Sequence, residues 1–362
     1  MNSHYDIVIL GLSLSSSWGN GHATTYRALI RGLRTHGKRV LFLERDVPWY
    51  ASNRDLPRPD FCDLAYYDSV EDMLARYTSY LEGAGAVIVG SYVPDGVAVI
   101  DALGELALAS CHFYDIDTPV TLAKLARGEE EYLAKRQIPF FDSYLSFSGG
   151  PTLDRLEREF GAQATQALYC SVDPDRYGPT GEAQQWDLGY LGTYSVDRQP
   201  ALERLLIEPA RQLPDMRFVV AGAQFPTDID WPANVERLEH VPPSQHRSFY
   251  NRQRFTLNVT RADMVAAGWS PSVRLFEAGA CGTPVISDVW TGLDQLFPGN
   301  TIVLAHDSAD VVHTLRETTT SQRNAMAAAA RRHVLAEHSA TARAGELLSA
   351  LGAGRRQVRP SA

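Results

Sequence analysis

Cysteine is scarce: Cys62, Cys111, Cys170 and Cys281 are the only four in 362 residues, widely spaced and with no C-x-x-C pair. That excludes a zinc ribbon or a redox dithiol and predicts reduced thiols, as in a cytoplasmic protein. Long apolar runs are missing too. Ile7-Val8-Ile9-Leu10 is far short of the roughly 20 residues of a membrane span, and no basic segment precedes it as in a signal peptide. Basic residues are in deficit, 34 against 43 acidic, a net charge of −9. This balance disfavours nucleic acid and anionic membrane surfaces as partners. Also lacking are a G-x-G-x-x-G fingerprint, the G-K-[ST] ending of a P-loop and a G-x-S-x-G elbow. Ser15, Ser16 and Ser17 are therefore expected to be polar loop residues serving solubility, not nucleophiles. With no His or Cys cluster, neither a metal nor a cofactor is expected.

What is present is an ordinary globular composition, 44% hydrophobic and 21% charged, at a length that suggests about two domains. Tyr5 to Gly11, Arg39 to Glu44, Ala86 to Gly90, Ser110 to Asp115 and Ser143 to Phe147 read as buried parallel strands. They alternate with helices His22 to His36, Val70 to Leu81, Asp95 to Leu106 and Val120 to Leu125. A Pro- and Gly-rich stretch between Asp173 and Trp186 marks a linker. A second series follows, with strands at Trp186 to Gly192, Arg217 to Gly222, Val235 to Leu238 and Phe255 to Val259, and a helix from Pro200 to Leu213. The fold class is therefore α/β, two Rossmann-like domains over 1–178 and 179–352, with a helical terminus from Ser321 to Leu351 and a flexible tail over 353–362.

Chemistry-bearing residues fall at strand ends, where open α/β sheets bind ligands. Trp18, Asn20, Gly21 and His22 lie between the first strand and first helix, whose N-terminus suits an anion. Asp115-Ile116-Asp117-Thr118 ends a later strand. Its D-x-D spacing also occurs at Asp173 and Asp228, so it is weak as a metal motif. Asp117 is read either as a helix cap or as a sugar- or acceptor-binding group. In the second half, Thr193, Tyr194 and Arg198 open a loop suited to a diphosphate, since guanidinium offers a planar fork of donors. Gly222 ends the next strand. Ser272, Arg274 and Glu277 lie on a helix that Gly282 should cap, before Thr283-Pro284 begins another strand. The Glu277 carboxylate suits a pair of adjacent hydroxyls, and Arg274 either contacts phosphate or pairs with Glu277 at helical spacing.

Together, Trp18 to Arg27, Tyr114 to Thr121, Leu191 to Arg198 and Ser272 to Pro284 resemble GT-B glycosyltransferases related to glycosyltransferase group 1, and within them the spore-maturation CgeB-like family. The resemblance implies two Rossmann-like domains facing across a central cleft, the second holding a nucleotide-diphosphate sugar and the first mainly the acceptor. It also implies a final helix that crosses back to the first domain. Donor binding would fall to Gly21, Thr193, Tyr194, Arg198, Gly222, Ser272, Arg274 and Glu277. Acceptor or sugar binding would fall to Asp115, Thr118, Trp18 and Asn20, with Asp117 and His22 as the catalytic candidates. In group members with an E-x7-E pattern the second Glu contacts ribose and the first the donor sugar. Glu277 matches the second, but Trp269 stands at the first, which separates this chain from that pattern.

The expected function is thus metal-independent glycosyl transfer, UDP-sugar favoured over GDP- or dTDP-sugar, to a small-molecule or glycan acceptor. A nucleotide-sugar epimerase of the same fold and a sugar- or nucleotide-binding module without catalysis stand as alternatives. Donor turnover without acceptor would mark the first, and binding without turnover the second.

Overall fold

A computed structural model describes residues 4–18 and 21–354. The chain divides into two compact units, Met1–Ser171 with Ala340–Ala362, and Val172–Ser339. This division precedes the linker that composition predicts, because the Pro- and Gly-rich stretch is fastened to the second unit: Arg247 Nε donates to the Gly178 carbonyl at 3.0 Å and Nη2 to that of Pro179 at 3.0 Å.

The first unit runs β1 (Ile7–Gly11), α1 (Gly21–Thr35), β2 (Val40–Arg45), α2 (Pro48–Ala51), β3 (Asp63–Tyr67), α3 (Val70–Gly83), β4 (Ala86–Gly90), α4 (Gly96–Gly104), β5 (Cys111–Asp115), α5 (Thr118–Ala126), β6 (Ser143–Ser146), α6 (Pro151–Phe160) and β7 (Thr165–Ala167). Its seven strands are parallel in the order β3-β2-β1-β4-β5-β6-β7. The apolar runs are continuous because both faces are covered. Val8, Leu10, Val87 and Val89 enter one core, while Ile7, Ile9, Ala86 and Ile88 enter the other. The edge strands β3 and β7 and helix α6 escape the sequence pattern; β3 and β7 contribute mostly half-buried side chains.

The second unit runs β8 (Trp186–Leu191), α7 (Gln199–Leu202), α8 (Glu208–Gln212), β9 (Phe218–Ala221), β10 (Val235–Leu238), α9 (His246–Asn251), β11 (Gln253–Asn258), α10 (Ala262–Ala267), α11 (Val273–Cys281), β12 (Val285–Ser287), α12 (Leu293–Leu296), β13 (Val303–Leu304), α13 (Ser308–Glu317) and α14 (Thr320–Glu337). Its parallel sheet has the order β10-β9-β8-β11-β12-β13. The helix expected from Pro200 to Leu213 contains a π turn at Glu203–Ile207, just before Pro209. Proline has no N–H to give and its ring crowds the carbonyl four residues back, so the local bonding widens.

The terminal helix also divides. α14 ends at Glu337 and α15 spans Ala340–Gly354. At the break, Val172 N donates to the His338 carbonyl at 3.0 Å, so the two ends of the second unit run side by side. α15 belongs to the first unit, where Ala344, Leu347 and Leu351 share a core with Leu29, Ile30 and Leu33 of α1. Gly32 permits this approach, since a Cβ there would lie 2.0 Å from the Ala340 carbonyl oxygen. No helix among the described residues is long and apolar enough to cross a membrane.

Candidate functional site

In each unit the strand order reverses direction beside the first strand, between β1 and β4 and between β8 and β11. Such switch points leave a crevice at the carboxyl ends of the strands, and the expected residues gather there.

In the first unit, His22 enters on the first turn of α1 and Asp117 precedes α5. His22 Nε2 lies 3.2 Å from Asp117 Oδ2, with the histidine side chain 10% exposed and the aspartate 45%. Asp117 occupies the helix-capping position, but its side chain makes no capping bond. Its carboxylate therefore faces outward with the imidazole behind it.

Asp115 and Thr118 are both 0% exposed. Asp115 accepts from Tyr144 Oη at 2.5 Å, Thr121 Oγ1 at 2.9 Å and the Asp117 amide at 3.1 Å, while Thr118 Oγ1 donates to the Asp115 carbonyl. These two residues build the turn that presents Asp117. Trp18 is 58% exposed. Gly21 opens α1, and Asn20 lies outside the described residues.

Burial raises the Asp115 carboxyl to about 6, although Tyr144 and Thr121 favour its charged form. The native state thus holds this proton more tightly than the unfolded chain, so the stabilisation is complete below about pH 4 and is lost as pH rises through about 6. By this linkage, the stability of the wild type minus that of Asp115→Asn should fall by about 2.4 kcal/mol between pH 4 and pH 7. Urea titrations at both pH values measure it; a difference that does not change with pH would show that Asp115 titrates normally.

Of the three serines expected to be solvent-facing, Ser17 is part-exposed but Ser15 and Ser16 are not exposed at all. Ser13, Ser15 and Ser16 are 0% exposed, and so is Glu44 at the end of β2. The Glu44 carboxylate accepts from the Leu14 and Ser15 amides at 2.7 and 2.9 Å and from Ser15 Oγ at 2.6 Å. A buried carboxylate must find donors, and this one takes them from the β1–α1 loop and fixes its course. Arg27 adds a bidentate pair to Asp55 at 2.8 Å for each bond and donates to the Leu14 carbonyl. Burial acts to raise Asp55, but the Arg27 pair outweighs it and holds the carboxyl well below its usual range.

In the second unit, Arg274 on α11 reaches back to β8. Its Nε donates to the Leu191 carbonyl at 2.8 Å, its Nη1 to Asn258 Oδ1 at 2.7 Å, and its guanidinium lies 4.9 Å from the Tyr190 ring centroid. Ser272 Oγ donates to the same Asn258 oxygen at 2.7 Å. Arg274 therefore does not pair with Glu277. Arg198 follows the β8 loop, and its Nη2 donates to the carbonyl of the exposed Thr193 at 2.7 Å. Its Nε is buried without a hydrogen-bond partner. Burial depresses the Arg198 guanidinium, and the charges of Arg274 and Arg261 add to the effect. Three cations thus crowd a strand end where Asp197, 3.7 Å from Arg261, is the paired acid.

Beside them, Tyr194 packs on Phe225 with ring centroids 5.5 Å apart, and its amide donates to the Ala223 carbonyl. Gly222 sits at φ 151, where an added Cβ would lie 2.0 Å from the Gly192 carbonyl oxygen, so only glycine lets these two turns touch. Glu277 is 5% exposed, accepts from Tyr250 Oη at 3.0 Å and lies 3.9 Å from His246 Nδ1. Trp269 has φ 49 and packs on Gly292.

Sequence reasoning passed over Glu44, Asn258 and Arg261. The first two carry a legible signal, a polar residue at or next to the carboxyl end of a buried strand; Arg261 sits in a polar loop and carries none.

Residues 198–349 match a family described as glycosyl transferase-like. Over 174 residues, 41% of this chain and 38% of the relative, the sequence is 30% identical to a D-inositol 3-phosphate glycosyltransferase of Mycobacterium sp. (strain JLS). The chain spans 28% to 38% of the length of the curated relatives it matches. Among solved structures, a sucrose-phosphate synthase from Thermosynechococcus elongatus superposes with a TM-score of 0.71 at 15% identity, covering 96% of this chain and 99% of that one. Anabaena Alr3699/HepE, in complex with UDP and glucose, gives 0.67 at 12% identity, covering 97% and 100%. The second unit thus carries a match to a glycosyl transferase-like family, and the fold is that of GT-B proteins, two parallel-sheet α/β units.

Proposed function

We propose that this chain transfers a glycosyl group from a nucleotide-diphosphate sugar, a UDP-sugar by preference, to a hydroxyl of a small-molecule or glycan acceptor, and that it is CgeB-like within its family. The observation that carries this reading is the crowding of Arg198, Arg274 and Arg261 at the end of β8. Like charges repel, and an anion bound among them removes the cost; a diphosphate also matches the guanidinium fork. The HepE complex with UDP and glucose supports a uridine nucleotide.

As the bond from anomeric carbon to diphosphate oxygen breaks, the sugar gains oxocarbenium character and the leaving diphosphate gains charge. The arginines are placed to stabilise that charge, so the reaction needs no metal ion. Thr193, Tyr194 and Gly222 shape the turns around the nucleotide, and Ser272 holds the start of α11 through Asn258. Glu277 takes the ribose hydroxyls, with Tyr250 orienting its carboxylate. In the first unit, Asp117 receives the acceptor's proton and His22 stabilises the carboxylate, with Trp18 on the acceptor side.

A thermal-shift panel with UDP, GDP, dTDP and CMP tests the donor site. A ligand at 100 times its dissociation constant adds about 2.7 kcal/mol to the native state. UDP should stabilise the wild type, and Glu277→Ala should lose most of that shift. No response to any diphosphate from a folded sample would sink the reading, and EDTA should leave turnover unchanged.

A further inference from the structure

Two residues past the end of β4, Tyr92 adopts φ 62. That left-handed conformation is unfavourable for a bulky side chain and persists only where its surroundings hold it. One side of the ring is packed. The Tyr132 ring lies 4.4 Å away centroid to centroid, and Lys124 Nζ lies 5.0 Å from the Tyr92 centroid. Tyr132 is itself anchored, its Oη 2.6 Å from Thr121 Oγ1, which donates to the buried Asp115 at 2.9 Å. The other partner is His22, whose ring stands at 87° to that of Tyr92 with centroids 5.4 Å apart.

The neighbouring Ser91 completes the arrangement: its Oγ accepts from the Ile116 amide at 3.1 Å, in the turn that presents Asp117. The end of β4 thus braces both members of the pair, Asp117 through Ser91 and His22 through the Tyr92 ring. A plain core tyrosine would not need a strained backbone to be buried, and Tyr92 is only half-buried. The strain is explained if the ring must stand at this angle against the imidazole.

We infer that Tyr92 is a positioning residue for the His22–Asp117 pair: its left-handed turn sets the phenol ring against the imidazole and keeps Nε2 on the carboxylate. It acts through His22 and touches no substrate. The consequence for turnover rests on the acid-base role proposed above for the pair; the consequence for the imidazole does not.

The test uses the full chain labelled with ¹⁵N, at pH 8, with the His22 ring signals assigned through His22→Gln. In the wild type and in Tyr92→Phe, long-range proton–nitrogen correlations should show a single tautomer with the proton on Nε2. In Tyr92→Ala the ring should average between tautomers. Tyr92→Gly, which suits the backbone and also lacks the ring, should behave as Ala does and serves if Ala fails to fold. His22 signals unchanged in the Ala or Gly variant would overturn the inference.

With UDP-glucose as donor probe, kcat should fall by up to about 10-fold in Ala and Gly and stay near wild type in Phe, with donor KM unchanged, as expected for lost alignment. If the wild type does not turn over UDP-glucose, the proposed function is in question while the ring signals still decide the role of Tyr92.

Discussion

Asp117→Asn should lower transfer about 10²- to 10⁴-fold, the usual worth of a positioned general base, while leaving the UDP thermal shift intact. Asparagine keeps the shape of the side chain and an oxygen to accept from His22 Nε2, which lies 3.2 Å from the wild-type carboxylate. What it cannot do is take the acceptor's proton. Because Asp117 is the exposed member of the pair and His22 the covered one, the two variants should differ. His22→Gln retains a donor toward Asp117 and should cost only about 10-fold. Rates with an acceptor that the wild type glycosylates, together with the product anomer by NMR, check this. An inverted anomer and a collapsed rate are expected. A retained anomer with a near-normal rate in Asp117→Asn would mean that the leaving phosphate takes the proton and that no protein base operates.

Arg198→Ala should weaken UDP binding by about 10- to 100-fold, since a hydrogen bond to a charged group contributes about 1.5–3 kcal/mol. Its effect on the unliganded protein separates this from ordinary damage. Arg198 keeps a buried Nε without a partner and feels the charges of Arg274 and Arg261, so its removal relieves repulsion and should leave the melting temperature of the free protein unchanged or higher. Arg274→Ala should behave otherwise. It strips the donor from the Leu191 carbonyl and one of the two donors from Asn258 Oδ1, which keeps Ser272, and a buried acceptor left without its partner costs about 1–3 kcal/mol. Melting curves with and without UDP distinguish the two. A free Arg198→Ala protein that melts well below wild type would show that this arginine serves stability and not an anion.

Much of this was readable in the chain because parallel strands buried on both faces must be continuous apolar runs. β1, β2, β4, β5, β8, β9 and β11 therefore announce themselves, and with them the strand ends where ligands bind. The cap at Gly282 was readable for a similar reason: its φ of 73 is open to glycine and costly for most other residues. Edge strands β3 and β7, with half-buried side chains, escape that pattern, and the π turn before Pro209 concerns hydrogen-bond register, which composition does not encode.

Sequence alone thus determined the two α/β series and the neighbourhood of each site, since both follow from local periodicity and from where a strand must stop. Only the tertiary structure decided which polar side chains face inward. Asp115 and Asp117 are two residues apart and chemically alike, yet one is enclosed by Tyr144 and Thr121 while the other looks out from His22. Ser15 looks like a loop solubiliser until Glu44, some thirty residues on, is seen to need its donors. Arg274 could have paired with Glu277 one turn away, but Asn258 and the end of β8 offered its guanidinium better acceptors. A buried polar group is satisfied by whatever the fold brings within about 3 Å, and those partners are distant in the chain.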